Sequence, residues 1–210
     1  MNQPQLTMKW LLLIVSFMAL SGCRLWTVRP IDWKEKKSAT VSPQFDAVAY
    51  VESVWQSKVV PTVKEKAVDL VTVLNALDAN VEAAKQQFGQ GSAHFLVKGD
   101  AIVTSDNNSS PHRTLSLRVP NYKGKTVVFM QVGPVFRGTA LRDAVGFIQF
   151  NEFVNQLQFA EVSTKLHERV VSEVVKEIDP HSGTGVAFHA AFTFNERDKV
   201  LLTPVVLEWK

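Results

Sequence analysis

The hydrophobic pattern begins with an apolar run near the N-terminus. Residues 10–20 are almost wholly apolar, Lys9 is the single charge before them, and the small residues Ser21 and Gly22 follow. A basic flank, an apolar run of about 7–15 residues and a small-residue exit are typical of a secretory signal peptide. The run is shorter than the roughly 20 apolar residues that a membrane-spanning helix needs. The pattern therefore predicts a signal peptide over residues 1–22.

A polar segment follows and leads into a stretch of helical periodicity. Residues 23–42 mix charges with single aromatic residues such as Trp26 and Trp33 and show no sustained period, so they predict an N-terminal tether. From Pro43 onward, apolar residues recur at spacings of three and four, which is typical of amphipathic helices. We expect helices over residues 43–58, from Pro61 to Leu77, and from Asp78 as N-cap to Phe88 before Gly89.

The second half of the chain alternates apolar and polar residues with period two, which is typical of half-buried strands. We expect five strands, at residues 93–106, 113–120, 126–132, 186–194 and 200–209. Gly99 in the first strand and Pro204 in the last are positions where we expect a bulge or, for Pro204, an edge. Between the third and fourth strands, apolar residues from Phe147 to Ile178 recur with helical spacing.

The order strand, strand, strand, helix, strand, strand is that of OB-fold barrels. We therefore expect an α+β protein, in which N-terminal helices pack on an OB-like five-stranded antiparallel barrel with a helix between strands 3 and 4. The alternative is an α+β sandwich with an open antiparallel sheet. Either arrangement makes residues 43–210 a single globular domain, with a helical part over 43–89 and the barrel over 92–210.

The sole cysteine, Cys23, stands directly after the apolar run. The segment from Leu20 to Cys23 reads LSGC, which resembles the bacterial lipobox. That resemblance implies cleavage before Cys23 and its modification with diacylglycerol and further acyl chains such as palmitate, which would hold the protein on a membrane. The alternative is a buried free cysteine, but no amphipathic period surrounds it. Arg24 follows where inner-membrane lipoproteins of many enteric bacteria carry Asp, so the outer membrane is favoured over the inner membrane.

Composition and charge exclude some partners. The formal net charge is +3, and removal of Lys9 with residues 1–22 lowers it to +2. Nucleic-acid-binding domains instead concentrate Lys and Arg on one face, so we expect no nucleic-acid partner. Without Cys23 the chain holds no thiol, so no disulfide stabilises the fold.

The residues that commonly carry catalysis or bind metals are scattered. The five histidines form no zinc-binding motif, which would need three or four converging ligands, although His94 and His189 lie on predicted strands and could meet across the barrel. No Gly-x-Ser-x-Gly motif or paired carboxylates stand out. We therefore expect no metal, no cofactor and no enzymatic activity. An envelope hydrolase is the least favoured alternative.

The densest polar cluster in an apolar setting is the segment 133–144. It carries Arg137, Thr139, Arg142 and Asp143. Two guanidinium groups could clamp a carboxylate or a phosphate, because each donates two parallel hydrogen bonds. In the structural alternative, Arg137 binds loop carbonyls and Asp143 caps a helix that begins near Ala144.

A second polar cluster lies on the following predicted helix. Asn151 and Asn155 are four residues apart, so on a helix they would share a face. There they could contact a sugar or face solvent. Together with Arg137, Thr139, Arg142 and Asp143, they complete the candidate ligand-binding residues.

Four segments of the sequence resemble those of a family of predicted periplasmic lipoproteins of unknown function. They are the lipobox, the segment GPVFRGTALRDAVGFIQFNEFVNQLQFAEV and the closing segments GTGVAFHAAFTF and VLLTPVVLEW. Genes of that family are often found beside sugar ABC-transporter operons. The resemblance implies an accessory binding or interaction role on the periplasmic side of the envelope, with transporter subunits or a solute-binding protein as partners. The alternative is a receptor for a sugar or an anion at the loop that holds Arg137 and Arg142.

Overall fold

The computed structural model describes residues 45–91, 93–176, 180–195 and 198–210. The predicted signal peptide, the tether with Trp26 and Trp33, and Cys23 lie outside the described residues. None of the described helices is both long and apolar enough to cross a bilayer.

The helical part consists of four short helices before the barrel. They are α1 (Ala47–Val54), α2 (Val60–Lys66), α3 (Leu70–Ala79) and α4 (Val81–Phe88). A π-helical turn, Trp55–Val59, joins α1 directly to α2. Pro61 explains this wider turn, because proline has no N–H to donate to the preceding turn. The predicted end of the first helix at residue 58 is therefore wrong, since the helical path continues into α2.

The second predicted helix, from Pro61 to Leu77, is interrupted by a two-residue strand, β1 (Val68–Asp69). Val68 pairs in parallel with Val97 in the first barrel strand. The carboxylate of Asp69 then accepts a hydrogen bond from the backbone N–H of Thr72 and caps α3. The continuous helix is therefore wrong, because a capping carboxylate and a strand pairing outweigh the apolar periodicity.

The N-cap of the next helix also differs from the prediction. Asn80, not Asp78, caps α4 by accepting a hydrogen bond from the backbone N–H of Ala83. Asp78 instead accepts a hydrogen bond of 2.7 Å from the hydroxyl of Tyr122. The predicted end of this helix at Phe88 is confirmed.

Five strands close into a barrel in the described part of the chain. They are β2 (His94–Asn107), β3 (Thr114–Arg118), β4 (Val127–Gln131), β5 (Gly185–Thr193) and β6 (Lys199–Trp209). The strand order is β2-β3-β4-β6-β5, and pairing between β5 and β2 closes the circle. This order confirms the predicted OB-like barrel on an α+β background. The β4–β6 pair is parallel, whereas the other barrel pairs are antiparallel.

Long β2 contacts both of its neighbours because it changes partner along its length. It pairs with β5 over His94–Ile102 and with β3 over Ile102–Asn107. The irregularity predicted at Gly99 lies instead between Val103 and Ser105, where the register with β3 shifts. The bulge predicted at Pro204 is confirmed, since the β5–β6 register skips one residue of β6 there.

The connection from β4 to β5 contains α5 (Ala140–Ala144), a 3-10 turn (Phe150–Glu152) and α6 (Gln156–Glu173). The prediction of helical structure from Phe147 is therefore wrong. Gly146 has φ 79°, a left-handed conformation that ends α5, and Asn155 is extended. The helix between the third and fourth barrel strands is confirmed as α6, while Ile178 lies outside the described residues.

Candidate functional site

The polar loop 133–144 divides into a buried part and an exposed part. Arg142 belongs to the buried part, since it is only 9% exposed. Its Nε donates a hydrogen bond of 2.8 Å to Oδ1 of Asp143, and its Nη1 donates one of 3.2 Å to the carbonyl oxygen of Phe159. The guanidinium also lies 3.7 Å from the centre of the Phe159 ring. The side chain of Arg142 thus connects α5, to which it belongs, with α6.

Both carboxylate oxygens of Asp143 accept hydrogen bonds in the same network. Its Oδ2 accepts a hydrogen bond of 2.5 Å from the hydroxyl of Thr139, while its Oδ1 accepts the bond from Arg142. The prediction that Asp143 caps a helix beginning near Ala144 is wrong, because α5 begins at Ala140 with Thr139 at the N-cap position. Asp143 therefore ties the loop to Arg142 from within α5.

Arg137 is the exposed member of the loop. Buried Gln131 fixes its backbone, because Gln131 Oε1 accepts a hydrogen bond of 2.6 Å from the Arg137 N–H and Gln131 Nε2 donates one of 3.2 Å to the Arg137 carbonyl. Gln131 Nε2 also donates to the hydroxyl of Thr203, at 3.0 Å. Within the described ranges, the guanidinium of Arg137 has no hydrogen-bond or ion-pair partner. The two arginines of the loop therefore do not converge on one ligand position.

A cleft of about 390 Å³ lies beside Arg137. Its polar lining consists of His94, Arg137, Thr139, Thr193, Asn195 and Thr203. These residues come from the start of β2, the loop before α5, the end of β5, the connection that follows it and the strand β6. The cleft therefore adjoins the β5–β6 connection, which corresponds to the L45 loop through which OB-folds bind oligonucleotides and oligosaccharides.

His94 forms part of the cleft lining through two contacts. Its Nδ1 lies 2.9 Å from the hydroxyl of Thr193, within hydrogen-bonding distance. Its Nε2 lies 4.0 Å from Oδ2 of Asp143, which is too long for a hydrogen bond. His94 therefore approaches Asp143 without a hydrogen bond, and this places the cleft beside the buried Arg142 network.

The prediction that His94 and His189 meet across the barrel is wrong. In the β2–β5 pair, His94 is opposite Thr193 and His189 is opposite Lys98. The two histidines are thus four register positions apart, or about 13 Å along the strands. Across residues 45–91, 93–176, 180–195 and 198–210, no group of three or more His, Cys, Asp or Glu side chains is placed to hold a metal ion.

Comparison with known proteins places the chain in a family. Residues 13–208 match the family of predicted periplasmic lipoproteins DUF2291. The chain belongs to the DUF2291 family. This match confirms the resemblance to predicted periplasmic lipoproteins. By the family's description, the DUF2291 chain is a predicted periplasmic lipoprotein. The comparison with curated proteins gives no match.

A solved structure supports the fold of this DUF2291 protein. An OB-fold protein from Thermotoga maritima MSB8 superposes with a TM-score of 0.63 at 23% sequence identity. The match covers 79% of this chain and 99% of that one. At this identity the likeness concerns the fold, and it agrees with the five-stranded barrel of the DUF2291 chain.

The two predicted sugar-contacting asparagines of the DUF2291 protein are exposed but do not share a helix. Asn151 lies in the 3-10 turn, and Asn155 is the N-cap of α6. The side-chain oxygen of Asn155 accepts a hydrogen bond of 3.0 Å from the backbone N–H of Gln158. Neither asparagine lines the cleft beside Arg137.

Asn155→Ala is expected to lower the free energy of unfolding by about 1 kcal/mol, because α6 then loses its N-terminal cap. Urea denaturation monitored by circular dichroism measures the loss. Asn151→Ala is the matched control, since Asn151 caps no helix in the described residues and should change stability by less than about 0.5 kcal/mol. Equal stability of the two variants would contradict the capping role.

One partly buried histidine of the DUF2291 protein lies beside the Arg142 network. Burial, together with the positive charge of Arg142, lowers the pKa of His167 from 6.5 to about 4. Its Nε2 is buried and has no hydrogen-bond partner in the described part of the chain, and its ring lies 5.6 Å from that of Phe136. The folded protein therefore holds His167 in its neutral form at neutral pH.

Several cleft residues were missed by sequence reasoning. Thr193 lies at the end of a strand, where local alternation predicts ordinary surface, and Thr203 lies in an apolar run. Buried Gln131 was the available signal, because a polar side chain inside an apolar strand requires hydrogen-bond partners. Its partners are the Arg137 backbone and Thr203, which adjoin the cleft.

Proposed function

We propose that this DUF2291 protein is a lipid-anchored periplasmic receptor that binds a small polar ligand in the cleft beside Arg137 without chemical conversion. The ligand is a sugar derivative with an anionic group, such as a sugar phosphate or a sugar acid. The proposal also includes an accessory role beside a sugar ABC transporter, which is supported by the family resemblance. Acylated Cys23 would hold the domain on the periplasmic face of a membrane, as the LSGC segment indicates.

The observation that carries the proposal is the exposed guanidinium of Arg137 on a fixed backbone. Gln131 holds both the N–H and the carbonyl of Arg137, so the side chain projects from a rigid point. A guanidinium without an intramolecular partner can donate two parallel hydrogen bonds to a carboxylate or a phosphate. Ligand binding therefore does not require the break of an existing ion pair among the described residues.

The rest of the cleft supplies groups that suit a hydroxylated ligand. The side chains of Asn195 and Thr193 donate and accept hydrogen bonds, as sugar hydroxyls also do. Asp143, in contrast, already accepts hydrogen bonds from Thr139 and Arg142 and does not hydrogen-bond His94. This arrangement favours binding over acid–base chemistry.

Thermal-shift and calorimetric titration of the full chain with sugars, sugar phosphates, sugar acids and inorganic phosphate tests the proposal. We expect an anionic sugar to raise the melting temperature, and Arg137→Ala to weaken its binding about 10-fold or more, as expected for the loss of a charge-assisted hydrogen bond.

Arg118→Ala is the matched control, because Arg118 is an exposed arginine at the end of β3 outside the cleft. It should leave the affinity unchanged. The receptor proposal fails if no compound shifts the wild-type protein, or if the two arginine variants lose affinity equally. Recovery of sugar-transporter subunits with the membrane-bound wild type would support the accessory role.

A further inference from the structure

Three apolar side chains project into solvent where the 3-10 turn leads into α6. Phe150 is 54% exposed, Val154 87% and Leu157 80%, and they are the most exposed large hydrophobic residues among those described. They lie within eight consecutive positions, whereas the less exposed examples are distributed over other elements. We call these three residues the apolar turn. Such a grouping usually marks a contact surface.

The apolar turn rests on a rigid aromatic base. Beneath it, the buried ring of Phe153 lies 5.5 Å from that of Phe159, and the ring of Phe150 lies 5.6 Å from Phe159. The turn is therefore preformed and does not have to fold before it meets a partner.

Local hydrogen bonds also satisfy backbone donors of the apolar turn. The N–H of Val154 donates to the side chain of Gln158 at 3.1 Å, and the N–H of Gln158 donates to Asn155. Satisfied backbone groups are what a surface needs if it is to enter the edge of a hydrocarbon layer. In the apolar turn, the backbone N–H groups of Val154 and Gln158, on either side of the start of α6, are satisfied in this way.

The chain enters the described domain next to this base. The ring of Phe45 packs edge-to-face against Phe153, with 5.4 Å between the ring centres. Residues 24–44 lie between Phe45 and Cys23, and even a fully extended segment of that length reaches only about 70 Å. An acyl anchor at Cys23 therefore keeps the apolar turn close to a bilayer, at a high effective concentration.

We infer that the apolar turn inserts into the lipid surface and is the membrane-facing side of the domain. The inference rests on the acyl anchor proposed above. The one charged side chain within residues 150–157 is Glu152, so attraction to anionic lipid does not drive the contact. Insertion should therefore occur equally on neutral and on anionic vesicles and should resist salt.

The test places a fluorescent label at the apolar turn of the full, processed chain. Acylation blocks Cys23, so Leu157→Cys supplies a unique thiol for an NBD label. The protein is reconstituted into phosphatidylcholine vesicles, with and without phosphatidylglycerol. We expect a blue-shifted emission and several-fold stronger quenching by doxyl-labelled lipid than by aqueous iodide.

Val127→Cys is the matched control, because Val127 is 47% exposed and lies on β4. Its label should be quenched by iodide and not by doxyl lipid. Iodide quenching of both labels, on protein that floats with the vesicles, overturns the inference alone. Protection of the Leu157→Cys label from both quenchers also overturns it, since a second copy or a protein partner then covers the turn.

Flotation of the wild-type protein with the vesicles tests the acyl anchor separately. A wild-type chain that reacts with the thiol reagent and does not float with the vesicles overturns the anchor proposal, and this inference is overturned with it. A chain that floats while the label at residue 157 stays in water leaves the anchor intact and removes only the docking surface.

Discussion

Replacement of Arg142 by methionine is expected to lower the free energy of unfolding by about 3 kcal/mol. The substitution removes the hydrogen bonds to Asp143 and to the Phe159 carbonyl, as well as the contact with the Phe159 ring. It also leaves the Asp143 carboxylate without its cationic partner in a partly buried position. Urea denaturation of the wild type and the variant at pH 7 measures the change.

Arg137→Met is the matched control for Arg142→Met, because it removes an exposed guanidinium from the same loop. It should change stability by less than about 0.5 kcal/mol. Arg142→Lys should fall between wild type and methionine, since an ammonium keeps the charge but not the planar fork that bonds in two directions. A structural role of Arg142 is contradicted if Arg137→Met and Arg142→Met are equally stable.

The second large effect is a pH dependence that His167 introduces. The pKa of His167 is about 4 in the folded protein and about 6.5 in the unfolded chain. As the pH falls below 6.5, the unfolded chain binds a proton that the folded protein does not bind until about pH 4. Stability is therefore lost between pH 6.5 and pH 4, by at most about 3 kcal/mol from this residue.

His167→Leu is expected to remove this contribution and to flatten the loss of stability between pH 6.5 and pH 4. The measured quantity is the difference between variant and wild type in the free energy of unfolding at pH 7 and at pH 4.5. His181→Leu, an exposed histidine before β5, should retain the wild-type dependence. A wild-type pH profile in His167→Leu would show that other groups cause the acid sensitivity.

The barrel could be predicted because its signal is local. Each strand alternates apolar and polar residues, and the order of strands and helix restricts the topology to few arrangements. Helix boundaries were harder, because single capping side chains set them. Asn155 caps α6 and Gln158 follows three residues later, which is a capping pattern, yet spacing alone suggested that Asn155 shares a helical face with Asn151.

The candidate site could be predicted only in part, because its residues are distant in sequence. Arg142 donates a hydrogen bond to the carbonyl oxygen of Phe159, which lies 17 residues further along on another helix. His94 and Thr193 meet only because β2 and β5 close the barrel. Local periodicity shows which residues are apolar, but it carries no information on the pairing of strands that are about 100 residues apart.

The position of β6 has a consequence for biogenesis. The last strand along the chain lies between β4 and β5, pairing in parallel with one and antiparallel with the other. Until residues 199–209 have been delivered, β4 and β5 each present an unpaired edge, which is a template for misassembly with other chains. In a chain exported from its N-terminus, the β4 edge would therefore stay open from residue 131 until β6 follows, whereas β5 precedes β6 by only five residues, and the barrel can close only once β6 has arrived.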